Sequence, residues 1–282
     1  MIAPRTAGRL SILAAAVLFS TGGAAIKLAT MSAWQIAGFR SGLAAVILLI
    51  CLPAPRRAWR WPTLAVGLAH GVTLVLFVAA NKLTTAANAI FLQAMAPLYI
   101  LVLGVWWLRE PVRARDLGTM AVLAVGLGLF LLDHPPRLAS APDPTLGNLL
   151  AIGSGFTWAV TLTGIRWLGR RGEDGEEALA AVTAGNLFAF LGCLPAALPA
   201  SGTAADWLVI AYLGIFQVAL AYVCLTAGLR RLLAFEASLL LLLEPVLNPV
   251  WVWWLHGESP GRLALGGAAL VLAATLSKLV WE

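Results

Sequence analysis

The chain has 282 residues, of which 61% are hydrophobic and only 11% are charged, whereas soluble domains average about 45–50% apolar and about 25% charged residues. A soluble fold cannot bury that much apolar surface, so the composition excludes one and predicts an integral membrane protein. The net charge of +6 does not indicate nucleic-acid binding, because the arginines form short clusters between apolar runs rather than one polar face.

Charged and proline-rich breaks divide the chain into ten apolar segments, each long enough to cross a hydrocarbon core of about 30 Å. In chain order, the predicted transmembrane helices cover residues 8–29, 33–52, 62–81, 86–108, 114–132, 146–166, 177–198, 205–228, 236–255 and 262–280. The longest connections, 133–145 and 169–177, are too short for a soluble domain. The sequence therefore predicts an all-α membrane protein with ten spans.

The basic residues orient these spans. Ten spans put both termini on one side of the membrane, and if that side is the cytoplasm, fourteen of the nineteen basic residues are cytoplasmic and four lie outside. This agrees with the positive-inside rule. The nineteenth, Arg40, falls within the second span, and its long side chain is expected to reach the outer surface.

The second half of the sequence repeats the first. A shift of 139 positions aligns Gly8 with Gly147, and a shift of 148 aligns Pro97 with Pro245 without gaps over the later portion. Five helices per copy is an odd number, so the second copy enters the membrane from the opposite side. The sequence thus predicts two inverted repeats, residues 1–135 and 146–282, around a central cavity, an arrangement suited to alternating access.

The N-terminal segment has a second interpretation. Basic residues followed by an apolar run are also typical of a secretory signal peptide. Because the first helix is part of the internal repeat, we expect it to be a retained transmembrane helix.

Two five-helix units, each with a final portion like LEPVLNPVWVWWLHGESPGRLALGGAALVLA, resemble the EamA-type members of the drug/metabolite transporter superfamily. The matching positions are Ala96-Pro97, Glu110, Glu244-Pro245, Glu258 and the glycine-rich helix from Leu263. Arg40 also resembles an arginine common early in the second helix of that family. Within the superfamily the chain is most similar to bacterial exporters of aromatic amino acids. The resemblance implies an inner-membrane exporter with a cavity between two helical bundles.

Prolines interrupt the fourth and ninth spans at corresponding positions, Pro97 and Pro245. Proline lacks a backbone N–H and clashes with the carbonyl group four residues earlier, so each helix is expected to kink and leave carbonyl groups free. Transporter sites lie near the midplane where helices of both halves are interrupted. We therefore predict that these kinks line a cavity; the alternative is that they only shape the bundle.

Glu244 precedes Pro245 near the middle of the ninth span. A charged residue there costs about 2.5–3.5 kcal/mol on insertion scales, and each leucine at 239–243 contributes about −0.3 to −0.6 kcal/mol, so insertion is feasible. The carboxyl group needs a partner or a wet cavity. Two hypotheses follow: it binds a substrate amine or carries coupled protons, or it is protonated and donates to the carbonyl groups freed at the kink.

Four ring-bearing residues are candidates for the substrate site. Trp158, Tyr99 and Tyr222 lie in mid-span and could hold a planar or cationic substrate by stacking. Trp158 is the strongest, because small residues surround it and its repeat partner Phe19 is predicted to face it. His70, near the centre of the third span, is either a proton relay or one side of an interhelical hydrogen bond.

Other polar and aromatic residues are assigned by type. Further polar candidates, each with a helix-to-helix hydrogen bond as the alternative, are Gln93, Asn88, Gln217 and Asn248. Tryptophans near predicted interfaces are expected to form aromatic belts: Trp59, Trp61, Trp106, Trp107, Trp207, Trp251, Trp253 and Trp254.

The resemblance thus implies an exporter of amino acids, aromatic or otherwise hydrophobic, or of related metabolites. We expect it to work as a monomer, and proton coupling is a hypothesis. The predicted substrate-binding residues are Trp158, Tyr99, His70, Tyr222, Gln93 and Glu244, with Pro97 and Pro245 as hinges. The alternative is a multidrug or metabolite exporter of organic cations.

A membrane-embedded enzyme is the competing class of function. The sequence contains no HExxH motif and no paired mid-membrane aspartates, which such enzymes use for catalysis. His70, His134 and His256 fall in separate helices or loops, so no metal site or cofactor is predicted. The three cysteines lie in apolar stretches without CxxC spacing and are interpreted as packing residues.

Overall fold

The computed structural model describes most of the chain, and the described part is helical. It covers residues 3–53, 56, 58–111, 113–132, 141–171, 176–256, 263, 265–267, 269–270 and 273–274. These residues contain no β-strand. Eight helical segments within them are long and apolar enough to cross a membrane, so the chain is a multi-pass membrane protein.

The described part of the first half contains seven α-helices. They are α1 (Pro4–Ser20), α2 (Gly22–Leu28), α3 (Ala33–Cys51), α4 (Trp61–Leu83), α5 (Ala86–Gln93), α6 (Ala96–Leu103) and α7 (Ala114–Leu132). A π-helical segment, Gly104–Leu108, continues α6. The first span consists of α1 and α2, and the fourth of α5, α6 and this segment.

The second half follows the same plan as far as it is described. Its helices are α8 (Pro144–Gly169), α9 (Glu176–Ala197), α10 (Ala204–Tyr212), α11 (Ala221–Leu229), α12 (Ala234–Leu240) and α13 (Leu243–His256). A π-helical segment, Leu213–Leu220, joins α10 to α11. Most of the predicted tenth span, 262–280, lies outside the described residues, and so does Glu258.

Several helices begin where a polar side chain caps them. Ser32, Thr85, Asp143 and Thr203 each accept a hydrogen bond from a backbone N–H in the first turn of the helix that follows. Such caps satisfy donors that would otherwise lack a partner inside the helix. The four helices they start are α3, α5, α8 and α10, and these boundaries are therefore fixed locally.

Three spans are interrupted. The first breaks at Thr21, where the hydroxyl groups of Ser20 and Thr21 donate to the carbonyl groups of Val17 and Leu18 and compete with the helical pattern. The fourth breaks at residues 94–95, before Pro97, and the ninth at 241–242, before Pro245. Proline cannot supply the amide that would continue each helix.

The helices pack mainly across the two halves. Contacts between the halves include those of α4 with α8 and α9, α3 with α9, α1 with α11, α5 with α13 and α6 with α12. Glycines allow the backbones of α4 and α9 to touch: a Cβ on Gly185 would lie 2.6 Å from the Gly67 carbonyl oxygen, and one on Gly71 2.7 Å from that of Gly185. Only small residues permit this approach.

The bundle has two distinct ends. We call the end where α1, α4 and α12 begin and α8 and α11 finish the arginine-rich end. The end where α3, α5, α8 and α10 begin is called the opposite end. Between them lies the largest buried apolar cluster, which includes Phe19, Trp158 and Tyr222.

Candidate functional site

Two small adjoining cavities lie between the halves, beside the interruptions of the fourth and ninth spans. Their volumes are about 30 and 20 Å³, and Gln93, Trp158 and Glu244 line both. By this measure one water needs about 10–15 Å³, so the larger cavity has room for about two waters. Neither cavity is large enough to hold an amino acid in this conformation.

Three aromatic rings pack against one another on the wall of the larger cavity. The ring centroids are 5.0 Å apart for Phe19 and Tyr222, 5.9 Å for Phe19 and Trp158, and 5.9 Å for Trp158 and Tyr222, all edge-to-face. This geometry is favourable for aromatic pairs. The prediction that Phe19 faces Trp158 is confirmed, and the three rings come from α1, α8 and α11.

A hydrogen-bonded chain of neutral groups runs from the cavities into the contact between α4 and α8. The Gln93 amide donates to Ser154 Oγ at 2.7 Å, and Ser154 Oγ donates to the Thr73 carbonyl oxygen at 3.4 Å. Thr73 Oγ1 donates to Thr157 Oγ1 at 2.9 Å. Gln93 thus makes a helix-to-helix hydrogen bond and also lines the cavities.

Glu244 lies in the first turn of α13 and is 8% exposed. Among the described residues, its carboxyl group has no hydrogen-bond or ion-pair partner, so no bond to the carbonyl groups of the kink is present. Pro97 and Pro245 line the smaller cavity with it. The chemistry available is therefore a carboxyl group on a small, mostly apolar cavity at a helix break.

Comparison with known proteins places this architecture in a family. The model of the EamA-like transporter family matches residues 6–132 and again residues 145–278, which together make up most of the chain. The chain belongs to the EamA-like transporter family. It is therefore a membrane transporter rather than an enzyme.

Individual relatives of this EamA-like protein agree with that assignment. Over 212 residues it is 26% identical to a protein of Archaeoglobus fulgidus named as an uncharacterized transporter, with 75% of this chain and 73% of that protein covered. A protein of known crystal structure superimposes with a TM-score of 0.73 over 98% of this chain and 97% of its own, at 19% identity. The second likeness concerns the fold alone.

Two predicted site residues of the EamA-like protein lie behind or away from the cavities. His70 is fully buried; its ring packs 4.4 Å from that of Tyr222, and its Nε2 lies 3.2 Å from the Asn186 amide nitrogen. It contacts the cavity wall from behind. Tyr99 packs its ring 5.6 Å from that of Phe156 and lines neither of the two cavities.

Arg40 is the cavity-lining residue whose direction sequence reasoning assigned differently. The expectation that it reaches the outer surface is wrong: it is 0% exposed and lines the larger cavity. Its Nη1 donates to Gln217 Oε1 at 3.0 Å and its Nη2 to the Leu74 carbonyl oxygen at 3.3 Å. These partners hold the side chain inside the bundle, and its position in mid-span was the available signal.

The tryptophans divide into two groups. Most predicted belt residues of this EamA-like protein are exposed at the bundle surface: Trp59, Trp61, Trp106, Trp207, Trp253 and Trp254. Trp251 differs, because its Nε1 donates to Ser20 Oγ at 3.0 Å. Asn248 likewise donates to the Ser20 carbonyl oxygen at 2.7 Å. Both side chains therefore fasten α13 to the break in the first span.

Proposed function

We propose that this EamA-like transporter exports amino acids, aromatic or otherwise hydrophobic, or related metabolites, across a bacterial inner membrane by alternating access. The observation that carries the proposal is the ring cluster of Phe19, Trp158 and Tyr222 on a cavity that also presents Gln93 and Glu244. Aromatic faces suit a planar apolar side chain. Polar groups that converge on an aromatic pocket fix the orientation of a ligand.

The proposed architecture is ten spans in two inverted five-helix repeats, residues 1–135 and 146–282. Two successive matches to one family model support the duplication. The helix packing supports the inversion. In the repeat α1 corresponds to α8 and α4 to α11, so exchanging the halves converts the contact of α1 with α11 into that of α8 with α4. The contact of α5 with α13 becomes that of α12 with α6.

Aligned glycines make equivalent contacts at the two ends. A Cβ on Gly8 would lie 2.9 Å from Arg231 Cβ at the arginine-rich end, and one on Gly147 would lie 2.9 Å from the Leu83 carbonyl carbon at the opposite end. The shift of 148 that aligns the later part of the repeats also aligns Leu83 with Arg231. The first glycine of each half thus contacts the equivalent loop of the other half, one at each end of the bundle. A pseudo-two-fold axis in the membrane plane requires this arrangement.

Alternating access follows from this symmetry. The halves are joined at both ends: Glu110 pairs with Arg166 at the arginine-rich end, and Asp206 accepts from the Thr30 amide at the opposite end. Opening toward one side requires the contacts of that end to separate while those of the other persist. Cavities of only about 30 and 20 Å³ fit an intermediate between the two open forms.

The orientation and coupling form part of the same proposal. The excess of basic residues at one end supports cytoplasmic termini. Glu244 is the proposed carrier of a coupled proton, since a carboxyl group without a partner can exchange a proton when a ligand arrives. The chain encloses its own cavities, so the monomer is the proposed functional unit.

Export of organic cations is the second candidate. The observation that favours it is the same unpaired carboxyl group of Glu244, which together with the aromatic rings could hold an ammonium group by charge and by cation–π contact. It differs from amino-acid transport in needing no group that binds a carboxylate.

The test is transport by the purified full-length chain in proteoliposomes, with labelled phenylalanine exchanged against an internal panel of amino acids and aromatic amines. Trp158→Ala should lower exchange at least about tenfold, because it removes the central ring of the cluster. Trp106→Ala is the matched control: Trp106 is 81% exposed whereas Trp158 is 8% exposed, so exchange should stay unchanged. No exchange of any panel member by the wild-type protein, or equal losses in both variants, would refute the proposal.

A further inference from the structure

The larger cavity contains one cation and one carboxyl group that do not pair with each other. Arg40 comes from α3 and Glu244 from α13, so they belong to different halves. No carboxylate among the described residues lies within ion-pair distance of the Arg40 guanidinium. The site thus presents a guanidinium and a carboxyl group, each without an ionic partner among the described residues.

We propose that Arg40 and Glu244 form a binding site for a zwitterion, in which the guanidinium binds the α-carboxylate of an amino acid and the Glu244 carboxylate binds its α-ammonium group. This inference rests on the proposed amino-acid transport, because it assigns the atoms that would recognise that substrate. It also makes Arg40 the residue that separates amino acids from organic cations.

The surroundings of Arg40 fit a carboxylate subsite. Its hydrogen bonds run only to neutral groups, and its buried Nε has no partner. A buried charge with neutral partners alone is costly, and a carboxylate would compensate it. Guanidinium and carboxylate also match in geometry, because both are planar and form paired hydrogen bonds.

Gln217 orients the guanidinium. It lies in the π-helical segment Leu213–Leu220, the type of helix distortion often found at functional sites. Two glycines allow this segment to lie close to α3 and α2. A Cβ on Gly214 would lie 2.9 Å from the Arg40 carbonyl oxygen, and a Cβ on Gly22 would lie 2.6 Å from Gln217 Nε2. The side-chain oxygen of Gln217 therefore faces Arg40 and keeps one of its nitrogens in place.

An α-amino acid carries both charges on one carbon atom, so it can bind both groups at once. An amine could use only Glu244, and a carboxylic acid only Arg40. The aromatic cluster of Phe19, Trp158 and Tyr222 lines the same cavity and would receive the side chain. With room for about two waters in this conformation, the site would admit the substrate only after the halves move apart.

The first experiment needs no variant. Binding to the purified full-length protein is measured for phenylalanine and for two compounds that each lack one charge, phenethylamine and 3-phenylpropionate. We expect phenylalanine to bind at least about tenfold more tightly than either, because loss of one charge leaves a buried partner unpaired. Equal binding of phenylalanine and phenethylamine would overturn the inference.

The second experiment assigns the charges to residues. Arg40→Gln should bind phenylalanine at least about tenfold more weakly and no longer distinguish it from phenethylamine. Glu244→Gln should no longer distinguish phenylalanine from 3-phenylpropionate. If either variant weakens binding but keeps the wild-type preference, its residue is structural and the inference is wrong.

Controls separate the possible failures. Arg60 and Glu177 form an ion pair at the arginine-rich end, away from the cavities. Arg60→Gln and Glu177→Gln therefore repeat the two substitutions outside the site and should keep wild-type binding. If Arg40→Gln fails to fold, Arg40→Lys is used in its place, because it keeps the positive charge. The comparison of the three compounds on the wild-type protein then tests the inference by itself. If phenylalanine is exchanged without preference over phenethylamine, only this inference is wrong. If none of the three compounds is exchanged, the proposed function is wrong as well.

Discussion

The helices begin in different ways at the two ends of the bundle. At the opposite end the helices start with local caps: Ser32, Thr85, Asp143 and Thr203 each accept a hydrogen bond from their own helix. At the arginine-rich end the residues before α1, α4 and α12, which are Ala3, Arg60 and Leu233, make no such bond. At the start of α12, a carboxylate from a distant part of the chain binds the backbone instead.

Glu110 illustrates the second arrangement. Its Oε1 lies 3.2 Å from Arg166 Nε, and its Oε2 accepts from the backbone N–H of Ala234, the first residue of α12. Glu236 similarly binds Arg5 and Arg9, each at 2.9 Å. These pairs connect the first half to the second.

The difference has a consequence for transport. A local cap survives when the halves move, because both of its groups belong to one helix. An ion pair between the halves must break when that end opens. We therefore expect opening at the arginine-rich end to depend on charge, while helix starts at the opposite end contribute stability that is the same in every conformation.

The largest expected effect comes from Glu110→Gln. The carboxylate and the Arg166 side chain are 8% and 10% exposed, and removing one partner of a buried pair leaves an uncompensated charge that costs about 3 kcal/mol or more. Unfolding of the protein in detergent micelles should show this loss. A cysteine placed at Thr73, in a background without the native cysteines, should also react faster with a water-soluble thiol reagent added at the arginine-rich side.

Glu177→Gln provides the comparison at the same end. Its partner Arg60 is 3.6 Å away with 77% of the side chain exposed, and exposed pairs contribute about 0–1 kcal/mol. Equal destabilisation by the two changes would mean that the Glu110 pair is no stronger than a surface pair, and the proposed difference between the ends would lose its main support.

A smaller effect tests the glycine contacts that the ends share. Gly147→Ala places a methyl group 2.7 Å from the Thr84 amide nitrogen and 2.9 Å from the Leu83 carbonyl carbon. Backbone atoms cannot move aside easily, so we expect a loss of about 1–3 kcal/mol in micelles.

Gly8→Ala is the matched change at the arginine-rich end. Its methyl group meets Arg231 Cβ at 2.9 Å, which moves only with its backbone, and Leu232 Cγ at 3.2 Å, which can rotate aside. The gain of about 1 kcal/mol in helix propensity should offset part of the cost, so we expect a smaller loss than for Gly147→Ala. If Gly8→Ala were the more harmful of the two, the loop at the arginine-rich end would be the more rigid one.

The same contrast explains what the sequence could predict. The start of α3 is predictable from the sequence, because an apolar run and the local pair Ser32 and Gln35 determine it. Tyr222 and Tyr99 could not be told apart, because both lie in mid-span and only the rotation of each helix decides which one lines the cavity. The direction of Arg40 depended on Gln217, a residue far away in the sequence.

An effect smaller than that of Gly147→Ala is expected for Ser32→Ala at the opposite end. Ser32 accepts from the Gln35 amide at 3.2 Å, and the Gln35 side chain accepts from the Ser32 amide at 3.2 Å, so the change removes half of a capping box and should cost about 1 kcal/mol in micelles. Ser11→Ala is the control, because the Ser11 hydroxyl only donates to the Ala7 carbonyl oxygen within α1, a bond that adds little to a helix. Since the cap belongs to one helix, the rate of phenylalanine exchange should stay at the wild-type value in both variants. A changed exchange rate in Ser32→Ala alone would show that the start of α3 moves during transport, and the opposite end would then be more than a fixed support.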